Sequence, residues 1–343
     1  MLNKKIGIVG GGQLGMFICE AAKEQKVDTI IYSNTNDFSA KRACDDFIIG
    51  EYTEKKKINK FVNSADFFTV ETENIPLDFL KNIEMKKKLF PSSKIIEIAQ
   101  NRLKEKKFLN SLESIQTAKF FEINNFDELN NYSHQLNYNC ILKTQEFGYD
   151  GKGQFEINKN NLNDFKNKNL NDYILEEKIN FDSEISVIVA RSENNFFSYP
   201  PVENLHKNSI LRRSIYPATI SSEIKFGSLK KAELIAKKLN FQGVLAIEMF
   251  ILGKKILINE IAPRPHNSGH WTIDASGCSQ FENLLSIIIN GRSINPGPFR
   301  NCTMINIIGD EYLNIKNIKQ NHKVYDYFKP EVRPLRKMGH YVV

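Results

Sequence analysis

The stretch Val244–Ile261, VLAIEMFILGKKILINEI, holds two apolar runs of strand length on either side of Gly253-Lys254. Two such runs around a glycine-bearing pair read as a β-hairpin. Each run carries one acid, Glu248 in the first and Glu260 in the second. An acid in so apolar a strand is costly to bury unless it is paired or bound to a cation. The turn brings the two nearly abreast, and Asn259 adds an amide. The result is an oxygen-rich site suited to Mg²⁺ held by one or two carboxylates together with substrate phosphates. The competing reading is a buried salt bridge from each glutamate to an Arg or Lys.

Downstream lies Ala262-Pro263-Arg264-Pro265-His266-Asn267-Ser268-Gly269-His270-Trp271, with the single Trp of the chain. A loop that follows metal-bearing strands is a natural place for transition-state contacts, and Arg264 and His266 are its candidates. Ser279 with Glu282 forms a capping box that opens a helix ending before Gly291. Upstream, Ser228–Asn240 reads as a helix, with Leu229, Ala232, Ile235, Ala236 and Leu239 on one face.

Further upstream, Ile141–Lys143 is a short apolar strand ending in a lysine. Gly148-Tyr149-Asp150-Gly151-Lys152-Gly153-Gln154 follows it. Glycines expose backbone N–H groups and lysines supply charge, so the segment can wrap a polyphosphate. Its spacing is not that of a Walker loop, and a solvated hairpin turn is the plainer alternative.

At the N-terminus, Ile6–Val9, Thr29–Tyr32 and Phe67–Val70 read as strands and Met16–Lys26 as a helix, an alternation that argues a parallel α/β sheet. Gly10, Gly12 and Gly15 match G-x-G-x-x-G between strand and helix. A nicotinamide dinucleotide site wants an acid at the end of the second strand, but Tyr32-Ser33-Asn34 supplies none. The loop is then a tight turn or a site for some other phosphate, and a nicotinamide-dependent oxidoreductase has only this loop in its favour. Asn101–Leu112 reads as a charged helix leading into the next unit.

The 343 residues suit two or three domains, and 41% hydrophobic with 25% charged residues supports a packed core. The net charge of +7 is scattered rather than gathered in a basic stripe, so no nucleic-acid partner is expected. No run approaches the length of a membrane span. MLNKKIGIVGGGQLGMFIC imitates a signal peptide, but glycines and Gln13 interrupt it and no small-residue cleavage site follows. The five cysteines are odd in number and far apart, which fits a reducing cytoplasm. Near the end, Val324–Phe328 looks strand-like. Lys329, Arg333, Arg336 and Lys337 then crowd a tail stiffened by Pro330 and Pro334.

In this order the pieces resemble an ATP-grasp enzyme, and more narrowly the family of N5-carboxyaminoimidazole ribonucleotide synthetases of purine biosynthesis. The strings that carry the resemblance are GGGQLG at 10–15, ETENIP at 71–76, GYDGKGQ at 148–154, NLHKNSILR at 204–212, NEIAPRPHNSGHWT at 259–272 and RPLRKMGH at 333–340. The implied fold is α/β and α+β. It has an N-terminal Rossmann-like parallel α/β domain over 1–95 and an ATP-grasp domain over 96–292, with a small subdomain near 114–180. A C-terminal β-rich segment covers 293–343. The implied reaction phosphorylates bicarbonate with ATP to carboxyphosphate, then carboxylates aminoimidazole ribonucleotide on its exocyclic amine, releasing ADP and phosphate. A homodimer is implied as well.

Carried over by motif, Arg102 and Lys143 would touch the nucleotide phosphates, and Gly148, Tyr149, Asp150, Gly151, Lys152, Gly153 and Gln154 would close over them. Glu176, Glu177, Lys178 and Ile179 would frame the adenine, Glu184 the ribose, and His206 would lie at the nucleotide site. Glu248 and Glu260 would hold Mg²⁺ with Asn259 beside them. Gly12, Gln13, Leu14, Glu73 and Asn74 would line the ribonucleotide site. Tyr149, Asp150, His266 and Asn267 would face the substrate, with Lys329 and Arg336 on its phosphate. Lys143, Asp150, Arg264 and His266 are the candidate catalytic groups. Two departures stand out: Thr72 where the family has a bulkier residue, and Leu335 where it has a glycine. A formate-using ribonucleotide transformylase would share the nucleotide half but should carry a different loop from NSGHWT.

Overall fold

The computed structural model describes residues 4–36, 38–146, 148 and 153–343. The first sheet is parallel: β1 (Lys5–Val9), β2 (Asp28–Ser33), β3 (Asp46–Ile49), β4 (Phe67–Val70) and β5 (Lys88–Phe90), in the order β3-β2-β1-β4-β5. Ile6, Ile8, Val9, Ile30, Ile31 and Val70 are fully buried, as expected of a parallel sheet covered on both faces. The order reverses between β1 and β4. Their carboxyl ends therefore place the Gly10–Gly12 loop beside Glu71, at the crevice where open α/β sheets bind ligands.

The first helix begins at Gln13, a turn ahead of the Met16 expected from periodicity, and runs to Glu24. One apolar side was expected. Instead Leu14 through Cys19, Ala21 and Ala22 are all buried, because this helix is covered twice. One side faces the parallel sheet and the other meets the helix Gln280–Asn290 and the chain's last strands. The Phe17 ring lies 5.3 Å from Phe281, 5.9 Å from Tyr327 and 5.6 Å from His340. One apolar cluster accordingly runs from Ile6 and Ile8 through Phe17 to Trp271, Leu284 and Met304.

A four-stranded antiparallel sheet, β6 (Phe120–Ile123), β7 (Cys140–Thr144), β8 (Gln154–Ile157) and β9 (Tyr173–Glu177), has the order β6-β9-β7-β8. The third sheet holds β10 (Ser183–Arg191), β11 (Phe196–Ser198), β12 (Val202–Lys207), β13 (Ile210–Tyr216), β14 (Gly243–Leu252), β15 (Lys255–Ala262), β16 (Cys302–Ile308), β17 (Val324–Asp326) and β18 (Lys337–Val342). Its order is β15-β14-β10-β12-β13-β16-β18-β17, with β11 on β10. The C-terminal strands thus extend the sheet that carries the acidic hairpin. β17 stops at Asp326, short of the Phe328 expected, and Phe328 turns away with φ 48°.

The expected hairpin forms β14 and β15 around Gly253, at φ 54°. The helix expected over Ser228–Asn240 spans Ser222–Lys238, because the Ser221 side chain accepts the Ile224 N–H and caps it six residues earlier. Lys225 and Gly227 interrupt the apolar stripe and hide that first stretch. The capping box is present at Ser279–Glu282, and Gly291 ends the helix at φ 66°.

Phe17 sits between the first and third sheets, so its truncation empties a shared core. Phe17→Ala is expected to lower stability by about 3–5 kcal/mol, measured by urea denaturation.

Candidate active site

Two clefts meet along β15. The first, about 370 Å³, lies between the four-stranded sheet and the large one. Arg102, Lys143, Gln154, Glu176, Glu177, Lys178, Ile179, Glu184, His206, Asn259 and Glu260 line it, together with Glu248. These are residues that the nucleotide half of the pattern singled out. Phe181 and Phe250 stack face to face on the same wall, centroids 4.5 Å apart. Tyr149, Asp150, Gly151 and Lys152 lie outside the described residues. Gly153 takes φ 69° against Thr144, and the Arg102 guanidinium donates to the Thr144 carbonyl at 2.8 Å and the Gly148 carbonyl at 3.0 Å. Arg102 thereby ties the end of β7 to Gly148.

The second cleft, about 350 Å³, reaches from β15 to the carboxyl end of the parallel sheet. Gly12, Gln13, Leu14, Glu73, Asn74, Gly148, Arg264, His266 and Asn267 line it. It opens past Gly12, Gln13 and Asn74 into a third space of about 300 Å³ that holds Lys329 and Arg336. Leu335, before Arg336, adopts φ 65°. That left-handed conformation ordinarily favours glycine, and Lys329 and Arg336 both line this third space. Thr72 turns its hydroxyl to the Asn74 N–H, at 3.2 Å.

Glu248 and Glu260 are register partners across the hairpin, as expected. Their settings differ, however. Glu248 is 8% exposed, whereas Glu260 is open to solvent rather than sunk in apolar surroundings. The cause is a bulge: Met249 pairs with Ile258, leaving Asn259 unmatched, so the side-chain alternation of β15 is reset before Glu260. Burial, then Glu260 and Glu184, push the Glu248 carboxyl well above the usual carboxylate range. Glu184 is buried beside it, 3.0 Å from His206 Nδ1. Ligand atoms of Glu184, His206 and Glu248 lie within 4.8 Å of one another. Two carboxylates and an imidazole thus converge, a set whose charge repulsion a cation would relieve and whose oxygens suit Mg²⁺, while Glu260, the expected partner of Glu248, is not in that group among the described residues.

Arg264 and Glu73 form a two-pronged pair, Nη2 to Oε1 at 2.9 Å with Nε on the other oxygen. Burial alone would raise Glu73, but the Arg264 charge more than offsets it and the carboxyl stays below its usual range. His266 is held neutral by burial first, then by the charges of Arg264 and Lys337 and by His206.

Three groups outside the sequence reading, and Lys337, named there only as part of the basic tail, complete the site. Glu71, at the end of β4, accepts the N–H groups of Gly12 and Gly15, the latter at 2.9 Å. The helix terminus that would grip a dinucleotide phosphate is therefore already bonded to a carboxylate of the same chain. Lys106 is 2% exposed. Its ammonium lies 3.2 Å from Glu176 and donates to the Asn259 carbonyl at 3.1 Å. Glu105, 3% exposed, accepts the Ile261 N–H at 2.6 Å, and burial followed by Glu260 pushes it up to about 8. Lys337, at the start of β18, lines both clefts. A signal for Lys106 existed: Leu103, Lys106 and Leu109 share a helical face, and a lysine amid leucines is out of place on a solvated one. Glu71 and Lys337 sat inside quoted motifs, but only the fold aims them.

Glu176 is 3% exposed and shared by two ammonium groups, Lys143 at 3.0 Å and Lys106 at 3.2 Å. Burial works to raise it, yet the two lysines hold it down at about 2. Burial lowers Lys143 in turn, with Glu176 opposing. The acid expected at the adenine is thus the counter-ion that holds Lys143 on the wall of the first cleft.

Family models match along the chain: a ribonucleotide synthetase preATP-grasp domain over residues 3–100, an ATP-grasp domain over 108–281, and a phosphoribosylaminoimidazole carboxylase C-terminal domain over 302–343. The N5-carboxyaminoimidazole ribonucleotide synthase of Bacillus subtilis is 35% identical over 98% of this chain and 90% of its own length. That of Saccharolobus solfataricus is 34% identical over 98% of this chain and 90% of its own. Among solved structures, an ADP complex of an N5-carboxyaminoimidazole ribonucleotide synthetase superposes with a TM-score of 0.94 at 34% identity, covering 100% of this chain and 93% of that one. The Aspergillus clavatus N5-carboxyaminoimidazole synthase, in complex with ADP and 5-aminoimidazole ribonucleotide, gives 0.88 at 29% identity, covering 99% and 93%.

Removing the negative charge of Glu176 leaves two buried ammonium groups uncompensated. Glu176→Gln is expected to cost about 3–5 kcal/mol at pH 7. Because the folded-state pKa lies below the unfolded one, the stability Glu176 contributes is present above about pH 4.5 and fades as the pH falls toward 2. Urea titrations of both proteins at pH 7 and pH 3 should show the gap narrowing with acid.

Proposed function

The chain belongs to the N5-carboxyaminoimidazole ribonucleotide synthetase family, and on that premise we propose how its clefts divide the work of an ATP-dependent carbon–nitrogen ligase that carboxylates 5-aminoimidazole ribonucleotide. The observation that carries the reading is the junction. Arg102, Gln154, Glu260, His266, Asn267 and Lys337 each line both clefts, so a group made in one can be used in the other without leaving protein.

ATP takes the first cleft. Its phosphates run toward Lys143 and Arg102, its adenine toward Lys178, Ile179 and the Phe181–Phe250 stack, and its ribose toward Glu184, near His206. Glu248 and Glu260 would hold Mg²⁺, which supplies charge neutralisation on the phosphates when bound. Bicarbonate oxygen attacks the γ-phosphorus at the junction, ADP leaves, and carboxyphosphate remains. The ribonucleotide takes the second cleft, with its phosphate on Lys329 and Arg336 and its amine toward His266 and Asn267. The amine nitrogen bonds to the carboxyl carbon, the bond from that carbon to the phosphate oxygen breaks, and the departing phosphate takes the proton that the amine loses. Arg264, pinned by Glu73, keeps a fixed positive charge next to the developing oxyanion. Walls of protein on both sides protect the labile acyl phosphate from water. Five free thiols suit a reducing cytoplasm, and pairing of two chains is part of the same family reading.

Two experiments test this division. Glu248→Gln and Glu260→Gln should each lower turnover by roughly two orders of magnitude at saturating Mg²⁺. Near-normal turnover in both would remove the metal assignment. Arg336→Ala should raise the KM for aminoimidazole ribonucleotide about tenfold or more, since a charged hydrogen bond contributes about 1.5–3 kcal/mol. The KM for ATP should hardly move. A rise in the ATP value alone would put the tail at the wrong end of the site.

A further inference from the structure

His266 is the junction's imidazole, and a line of buried hydroxyls and an amide stands behind it. Its Nδ1 lies 2.8 Å from Ser268 Oγ and receives the Ser268 backbone N–H at 3.3 Å. Ser268 Oγ accepts the Ser186 hydroxyl at 2.7 Å, and Ser186 Oγ accepts the Asn204 amide at 3.0 Å. Asn204 Oδ1 in turn accepts the Ser214 hydroxyl at 2.8 Å. Ser186, Asn204, Ser214 and Ser268 are at most 3% exposed, so no solvent competes for these bonds. The residues come from β10, β12, β13 and the loop after β15, so the line is a product of the fold rather than of one motif. Gln280 adds a backbone clamp: its side-chain oxygen accepts the His266 N–H and its amide donates to the His266 carbonyl, both at 2.8 Å.

The direction of the line decides the tautomer. Ser268 Oγ already takes the Ser186 proton, so its own proton goes to His266 Nδ1, where the Ser268 N–H also points. Nδ1 is then an acceptor twice over, and the ring proton must sit on Nε2. We propose that Ser268, Ser186, Asn204 and Ser214 are positioning residues that hold His266 as its Nε2–H tautomer, so that it meets the carboxyl intermediate as a hydrogen-bond donor and not as the base that takes the amine proton. The Nε2 edge faces the acid hairpin, 3.7 Å from Glu248 Oε1, and both clefts. A donor there polarises the carboxyl oxygen as the amine attacks, and the amine proton passes to the departing phosphate, which leaves as hydrogenphosphate. This role rests on the placement of His266 at the active site argued above.

The test uses the full-length enzyme labelled with ¹⁵N-histidine. In the wild type, the His266 resonances, assigned by their loss in His266→Ala, should show a pyridine-like Nδ1 and a pyrrole-like Nε2. Ser268→Ala should erase that preference and lower kcat roughly tenfold or more, the scale seen when a group orienting a functional histidine is lost. The KM for ATP should stay at its wild-type value, and Ser268→Thr, which keeps the hydroxyl, should recover both signals. A wild-type ring protonated on Nδ1 overturns the proposal. So does a Ser268→Ala enzyme with wild-type kcat when His266→Ala is impaired. If His266→Ala itself turns over normally while the NMR tautomer is as stated, the placement of His266 at the chemistry has failed, and its catalytic role with it.

Discussion

The helix Gln13–Glu24 is buried on two opposite sides, and the active site depends on that double burial. Phe17 presses against Phe281 and the rings of Tyr327 and His340, while the sheet side packs on Ile6, Ile8 and Ile31. A helix with one exposed face would leave the first sheet free to drift against the third. Closed on both faces, it fixes the carboxyl ends of β1 and β4 relative to β15 and the tail. Each of the two clefts then has walls from different sheets, and both open on the same stretch of β15.

Charge within the site is arranged in pairs that leave selected groups unspent. Glu73 answers Arg264, Glu176 answers Lys106 and Lys143, and Glu71 answers the amides of its own glycine loop. Each pair is largely buried, so each is strong in place and costly to break from one side. Glu248 instead feels the charges of Glu260 and Glu184, a repulsion that a bound cation would relieve. The glycine loop illustrates the economy of this layout. Its helix end would attract a phosphate in a dinucleotide enzyme, and here the carboxylate of Glu71 takes that place, leaving the loop to shape a wall.

Much of the fold was legible in the chain because local patterns report local structure. The strand–glycine–helix start, the hairpin around Gly253, the capping box at Ser279 and the glycine at 291 each appear where the pattern indicates, since each is stabilised by residues close in sequence. The helix at Ser222–Lys238 starts six residues before its periodic stripe, because Lys225 and Gly227 break the pattern in its first turns. Locally the C-terminal strands are short pieces, and nothing in them indicates that β16, β18 and β17 extend the sheet of the acid hairpin.

The sequence by itself determined the chemical inventory: paired glutamates on a hairpin, a lysine strand before a glycine loop, the Arg264–His266 loop and the cations of the tail. It also carried the family, through strings long enough to be specific. The tertiary structure alone decided what those groups face. The bulge at Asn259 turned Glu260 out to the junction while Glu248 stayed buried, and a β-bulge is a pairing event between two strands. The serine line behind His266 draws on four separate elements, and the shared counter-ion Glu176 joins a helix lysine to a strand lysine. Such contacts span tens to hundreds of residues, and their energy exists only once burial strips away the water that would otherwise satisfy each group alone.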